Sequence, residues 1–133
     1  MATVIREVFI EVPSNVVWDA VADVGALHTR LVPGFVVDTR VEGEVRVVTF
    51  GNGLVVREPI VSVDAARHRL AWTAEGGALA HYNASLELKD EHGGTRVVWT
   101  ADLLPHARAT QVSGMQEQGL SVMKQTLERA TKG

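Results

Sequence analysis

One carboxylate stands out because it lies in an otherwise apolar strand pattern. Glu58 falls between Val56 and Ile60, on the phase that also carries Leu54 and is expected to face the interior. A buried carboxylate has to be paired, hydrogen-bonded or shifted to a higher pKa. Glu58 is therefore either a group that orients a ligand or transfers a proton, or a structural group. In the second case a local bulge turns it outward, or it pairs with Arg57 or another arginine.

Two further ionisable side chains are candidates for polarising a carbonyl group. His28 and Arg30 lie in the second of two short helical stretches, where a two-helix cradle would close one mouth of a cavity. With Glu58 as acid or base, they complete the predicted catalytic set. His81 and Asn83 lie on the outward phase of their strand. They face solvent, unless a bulge shifts the phase and brings them into the pocket.

Several classes of site are excluded by composition and spacing. The chain has no cysteine, and none of its five histidines are three or four residues apart, so neither a thiol nucleophile nor a metal site is predicted. Gly51-Asn52-Gly53 lacks the third glycine of a dinucleotide fingerprint and is predicted to be a hairpin with a two-residue Asn-Gly turn. No cofactor is expected.

The net charge and the hydropathy of the chain limit the classes of partner that are expected. Thirteen basic and sixteen acidic residues give a net charge of −3, which argues against a nucleic-acid partner. No apolar run reaches the ~18 residues of a membrane span, and the N-terminal stretch lacks the apolar region of a signal peptide. A cytoplasmic location is expected.

The elements that must position these groups follow from hydrophobic periodicity. Residues 3–12 alternate as a strand, and two short helices follow, the second over residues 26–32. Six strand-like segments with short turns, between residues 35 and 104, are expected to pair as an antiparallel meander. Residues 107–131 carry one apolar stripe and predict a helix of about 24 residues that lies across the sheet.

A curved sheet around one long helix needs large side chains to fill the space between them, and this chain has few. Aromatic residues make up 5% of it, and the predicted helix stripe contains Gly119 and Ala130. An underfilled apolar cavity is therefore predicted. Strand phase places three aromatic side chains on its wall. The predicted ligand-binding residues are Val56, Trp72, Tyr82, Trp99, Met115, Gly119 and Met123.

The order of these segments resembles the polyketide cyclase/dehydrase and lipid-transport family, in the superfamily of the birch pollen allergen and the steroidogenic lipid-transfer domain. The resemblance covers nearly the whole chain. It rests on Val17-Trp18-Asp19-Ala20, on Val55-Val56-Arg57-Glu58 and on the segment GTRVVWTAD at residues 94–102. It implies an α+β helix-grip fold, in which a seven-stranded curved antiparallel sheet surrounds a long C-terminal helix and two short helices follow the first strand. One ligand-binding domain is expected over residues 1–133.

Three functions are consistent with this reading. The favoured one is binding of a small hydrophobic or aromatic molecule, polyketide-like or lipid-like, by a monomer or homodimer. The second is a cyclase, dehydratase or isomerase that uses Glu58 as acid or base, and the third is a protein-interaction module with a filled core. Binding is favoured over catalysis because the sequence supplies one interior ionisable group, whereas acid–base enzymes usually assemble several.

Overall fold

A computed structural model describes residues 1–132. The elements are β1 (Ala2–Ile10), α1 (Ser14–Ala22), a 3-10 turn (Val24–Ala26), a π-helical turn (Leu27–Leu31), β2 (Val36–Glu42), β3 (Val45–Phe50), β4 (Val55–Asp64), β5 (Arg69–Thr73), β6 (His81–Glu91), β7 (Gly94–Leu104), a second 3-10 turn (His106–Arg108) and α2 (Ala109–Lys132). Among these residues, no helix is both long enough and apolar enough to cross a membrane.

The seven strands form one antiparallel sheet in the order β1-β7-β6-β5-β4-β3-β2. Consecutive strands from β2 to β7 are neighbours because short turns connect them, and β1 completes the sheet by pairing with β7. The side chains that alternate toward the interior on β7 are all buried: Val97, Trp99, Ala101 and Leu103. The predicted α+β architecture, a seven-stranded antiparallel sheet with a long C-terminal helix, is confirmed.

The helix α2 packs against β1 with a face that differs in part from the predicted stripe. Its buried side chains are Val112, Gln116, Leu120, Met123 and Leu127. Ala130, predicted to lie on the apolar stripe, is exposed. Gln116, a polar residue, is 0% exposed, and its Nε2 donates a hydrogen bond to the Val4 carbonyl oxygen at 3.5 Å. The carbonyl group of β1 therefore gives this buried polar side chain a hydrogen-bond partner.

The hairpin between β3 and β4 is one residue longer in its loop than predicted. The N–H of Phe50 donates to the Leu54 carbonyl at 2.8 Å, and the N–H of Gly53 donates to the Phe50 carbonyl at 2.9 Å. The loop therefore contains three residues, and Gly53 takes a φ of +90°, which favours glycine. This loop length sets the register of the two strands and places Arg46 directly opposite Glu58.

Candidate functional site

A cavity of about 560 Å³ lies between the sheet, α2 and the π-helical turn. Its wall is mainly apolar, and its deep part is formed by buried side chains from β3 to β7. Exposed residues from the β3–β4 loop, the β5–β6 connection and α2 mark its mouth: Gly51, Asn52, Leu54, Gly76, Gly77, Ala78, Gln111 and Gln118. The cavity is therefore open to solvent at one end of the sheet.

Six of the seven predicted ligand-binding residues line this cavity, namely Val56, Trp72, Tyr82, Trp99, Met115 and Met123. Gly119 does not. A Cβ at that position would lie 3.0 Å from Cζ3 of Trp99 and 3.1 Å from Cε2 of Phe35. Gly119 thus lets α2 approach two aromatic rings closely and supports the wall from behind.

The aromatic side chains form a buried cluster across three adjacent strands. Trp72 on β5 and Trp99 on β7 have ring centroids 6.1 Å apart at an interplanar angle of 53°. Tyr82 lies on β6, between these two strands. The indole N–H groups of both tryptophans are buried and have no hydrogen-bond partner within residues 1–132. The cluster offers flat apolar surface together with unused donors.

A buried ion pair, Arg46 and Glu58, supplies the charged groups of the cavity. Arg46 Nε donates to Glu58 Oε1 at 3.0 Å, and Arg46 Nη2 lies 2.9 Å from the same oxygen. The two side chains are 4% and 9% exposed. The guanidinium carbon lies 5.6 Å from the ring centroid of Trp72, so a cation–π contact also holds the arginine. Both residues line the cavity.

Glu58 keeps the interior phase that the sequence predicts. The irregularity in β4 lies between Ile60 and Ser62, beyond Glu58, and does not turn its carboxylate outward. Its partner is Arg46, which sequence reasoning did not single out. The signal was present in β3, where Arg46 shares its phase with the buried Val48 and points to the same side of the sheet.

Burial controls the ionisation of the two acidic groups in the cavity. Burial raises the pKa of Glu58, against the lowering effect of the charge and hydrogen bond of Arg46. Burial also raises the pKa of Tyr82, and the nearby Glu58 carboxylate raises it further. Tyr82 therefore stays protonated at neutral pH.

The structure does not bring His28 and Arg30 to Glu58. Neither is among the described residues that line the cavity; Leu27 and Leu31 of the same turn face it instead. Arg30 is held on the other side by α1, where its Nη2 lies 2.6 Å from Asp19 Oδ2. His28 has a buried Nδ1 without a hydrogen-bond partner in the described chain. The predicted three-residue catalytic set is therefore not assembled.

The polar row on β6 belongs to a network away from the cavity. His81 Nε2 lies 2.6 Å from Asn83 Oδ1, and Asn83 Nδ2 donates to Asp102 Oδ2 at 3.0 Å. The hydroxyl of Thr3 donates to Asp102 Oδ1 at 2.6 Å. These two hydrogen bonds, that of Thr3 first, lower the pKa of Asp102. His81 and Asn83 thus connect β6 to β7 and do not enter the pocket.

A second depression, of about 600 Å³, is open to solvent at the far end of β6 and β7. Its cationic side chain, Arg96, is already engaged, with Nη2 2.8 Å from Glu91 Oε1 and Nη1 3.6 Å from Glu7 Oε1. No group of three or more metal-binding side chains occurs in the described chain. The interior cavity is therefore the candidate site.

A sheet that curves around a long C-terminal helix, with a cavity between them, defines the helix-grip class of proteins. The chain belongs to the family described as polyketide cyclase/dehydrase and lipid transport, whose model matches residues 1–128. No curated protein matches the chain in sequence.

Solved structures with the same fold extend over the whole chain. A protein from Thermobifida fusca is 26% identical, with a TM-score of 0.78 over 97% of this chain and 95% of its own. Ara h 8.0201 is 21% identical, with a TM-score of 0.75 over 95% and 97%. The di-domain ARO/CYC BexL from the BE-7585A biosynthetic pathway is 16% identical, with a TM-score of 0.80 over 100% of this chain and 48% of its own. These similarities confirm the helix-grip fold.

Proposed function

We propose that this protein binds a small hydrophobic or aromatic molecule in the cavity between the sheet and α2. The observation that carries the proposal is a mainly apolar space of about 560 Å³ whose deep wall contains Trp72, Tyr82 and Trp99. Ligand sites in proteins are usually concave, apolar and of ~300–1,000 Å³, with a few placed polar groups. Arg46 and Glu58 are those groups in this cavity. The chain as a whole would act as one ligand-binding domain.

The family supports the same class of ligand, because its description joins polyketide chemistry with lipid transport. Polyketide-like and lipid-like molecules share an extended apolar body with a small number of oxygen atoms. The cavity combines an apolar wall with one ion pair and fits a molecule of that kind. An interaction module with a filled core is disfavoured, because the space is not filled by side chains.

Catalysis by a cyclase or dehydratase mechanism is the second candidate. The observation that favours it is the raised pKa of Glu58 beside a cavity, since a carboxyl that titrates closer to neutral pH can exchange a proton with a substrate. Arg46 replaces His28 and Arg30 as the group that polarises a carbonyl. Turnover of a ketide-like substrate that is unchanged in Glu58→Gln would exclude this role.

Ligand binding is tested with the uncharged fluorescent probe N-phenyl-1-naphthylamine. We expect saturable binding to the wild type and a loss of about tenfold or more, equivalent to ~1.4 kcal/mol, in Ala74→Phe, because that ring would occupy the cavity. Ala66→Phe is the matched control, since Ala66 lies exposed in the β4–β5 turn. Equal affinity in both variants and the wild type would show that the probe binds elsewhere.

The predictions of a cytoplasmic location, of no nucleic-acid partner and of a monomer or homodimer belong to the same proposal. They rest on the balance of charge and the hydropathy pattern of the chain. Size-exclusion chromatography with light scattering measures the oligomeric state directly.

A further inference from the structure

We propose that the cavity selects uncharged ligands whose head group carries a hydrogen-bond acceptor next to a donor, and that it discriminates against carboxylates. This inference rests on the proposed binding function and defines the chemistry of the ligand more narrowly. Amides and molecules with a hydroxyl beside a carbonyl belong to the selected class. Fatty acids and aryl carboxylates, which are equally apolar over most of their surface, do not.

The lining of the cavity carries no net charge. Among the residues that line it, the ionisable ones are Arg46, Glu58 and Tyr82, and Tyr82 stays neutral. The guanidinium and the carboxylate lie 2.9 Å apart and cancel each other. The wall therefore carries no net charge, although it contains an arginine, the residue that usually recognises carboxylates.

The ion pair of Arg46 and Glu58 retains atoms that can bind a ligand. Arg46 Nε donates its hydrogen bond to Glu58 Oε1, and Nη2 makes its ion-pair contact with the same oxygen. Within residues 1–132, the contacts of the pair involve Arg46 Nε and Nη2 and Glu58 Oε1, which leaves Arg46 Nη1 and Glu58 Oε2 for a ligand. A guanidinium has five N–H donors and a carboxylate has two oxygens, so both residues retain capacity. A ligand with an acceptor for Nη1 and a donor for Oε2 satisfies both.

A negatively charged ligand would be repelled by Glu58. A carboxylate that accepts a hydrogen bond from Arg46 Nη1 would lie within a few ångströms of Glu58, which is bound to the same guanidinium. In a site of low effective dielectric, two carboxylates this close repel each other strongly unless one takes up a proton. An uncharged amide or hydroxy ketone incurs no such repulsion and loses less hydration on entry.

The test uses three naphthalene compounds that differ only in the head group and compete with N-phenyl-1-naphthylamine at pH 8. They are 2-naphthamide, with an acceptor and a donor; 2-acetonaphthone, with an acceptor alone; and 2-naphthoate, which is an anion. For the wild type we expect 2-naphthamide to bind most tightly and 2-naphthoate at least about tenfold more weakly, since hydrogen bonds to charged groups contribute ~1.5–3 kcal/mol. 2-Acetonaphthone should fall between them.

The substitution Glu58→Gln should change the selectivity of the cavity between 2-naphthoate and 2-naphthamide. Without the carboxylate, the charge of Arg46 is no longer cancelled, and the affinity for 2-naphthoate relative to 2-naphthamide should rise about tenfold or more. The matched control is Glu75→Gln, which changes the net charge equally at an exposed position outside the cavity lining and should leave the ratio unaltered. Circular dichroism establishes that both variants are folded.

The outcomes separate this inference from the proposed function. If 2-naphthoate binds the wild type as tightly as 2-naphthamide, or if none of the three compounds displaces a probe that does bind, the selectivity is refuted while ligand binding stands. An unchanged ratio in folded Glu58→Gln refutes it as well. If the probe itself does not bind the wild type, the binding function fails and this inference fails with it.

Discussion

Removing the arginine of the buried ion pair tests whether charge governs this part of the structure. Arg46→Met keeps an unbranched side chain in β3 and leaves Glu58, 9% exposed, without a counter-ion. The charge and hydrogen bond of Arg46, which lower the pKa of Glu58, then disappear, whereas burial continues to raise it. We expect the variant to be destabilised in a strongly pH-dependent way.

The sign and the size follow from proton binding. The folded chain retains the Glu58 proton above the ordinary pKa of 4.5, at which the unfolded chain releases it. The contribution of this proton to the free energy of unfolding is therefore complete below pH 4.5 and is lost as the pH rises toward the folded pKa. The slope is about −1.4 kcal/mol per pH unit. The wild type follows the same direction over a shorter range, because Arg46 opposes the shift.

Deleting one member of a buried ion pair costs about 3–5 kcal/mol. Because the folded variant keeps the Glu58 proton to a higher pH than the wild type does, this loss develops as the pH rises. Arg46→Met should therefore be close to the wild type at pH 5 and several kcal/mol less stable at pH 8.

Urea unfolding followed by tryptophan fluorescence, at intervals from pH 5 to pH 8.5, measures this difference. The control is the double variant Arg46→Met with Glu58→Gln, which has no titratable group at either position and should lack the slope. If Arg46→Met loses the same free energy of unfolding at pH 5 as at pH 8, the loss comes from packing, and the electrostatic reasoning is refuted.

Four further substitutions test other parts of the structure by urea or thermal unfolding. Gly114→Ala should add about 0.5–1 kcal/mol to the free energy of unfolding because its Cβ meets open space, whereas Gly119→Ala should gain less because its Cβ would lie 3.0 Å from Trp99; equal gains would contradict this. Asp102→Asn should be less stable than the wild type at pH 7. This difference should shrink as the pH falls below 3.8, since a lowered pKa stabilises only above it; a difference that does not change with pH would contradict this. Thr39→Val removes a buried hydroxyl that lacks a partner in the described chain and should stabilise by ~1 kcal/mol, whereas a loss would imply an unseen bond.

Most of the fold could be predicted because long strands such as β7 alternate clearly and most turns contain a glycine or proline. On β7 the alternation places Val97, Trp99 and Leu103 inside without ambiguity. The orientation of α2 was harder, because a helix rotates to fit whatever it packs against. Gln116 is buried at a β1 carbonyl, and this contact joins residues 112 positions apart, beyond the reach of any local pattern.

The site could be predicted where it depends on phase and not where it depends on register. Phase placed Glu58 inside, but its partner depends on the length of the β3–β4 loop. A two-residue loop would pair Arg46 with Pro59, and the actual three-residue loop pairs it with Glu58. The N–H of Gly51 donates to the Phe35 carbonyl at 2.9 Å, a contact outside the hairpin. This N–H is therefore not available for the hydrogen bond that would close a two-residue loop.

The position of Arg30 could not be predicted for a related reason. A five-residue turn presents one side to the cavity, and the packing of Leu27 and Leu31 decides which side that is. Once both leucines face inward, Arg30 is directed to the carboxylates of Asp19 and Asp23 on the other side. The packing of the two leucines thus determines where the guanidinium group of Arg30 lies.

The stability experiment and the selectivity experiment bear on the same pair and together separate its two possible roles. A buried ion pair contributes little net stability, and a well-packed apolar or neutral pair of similar volume often does as well or better. If stability were the role of Arg46 and Glu58, the neutral double variant would unfold more easily than the wild type. We expect instead that it unfolds at a similar urea concentration, yet binds 2-naphthamide more weakly than the wild type does, because both hydrogen bonds to charged groups of the pair are lost. That combination would mean that the charges of the pair act on the ligand and not on the fold.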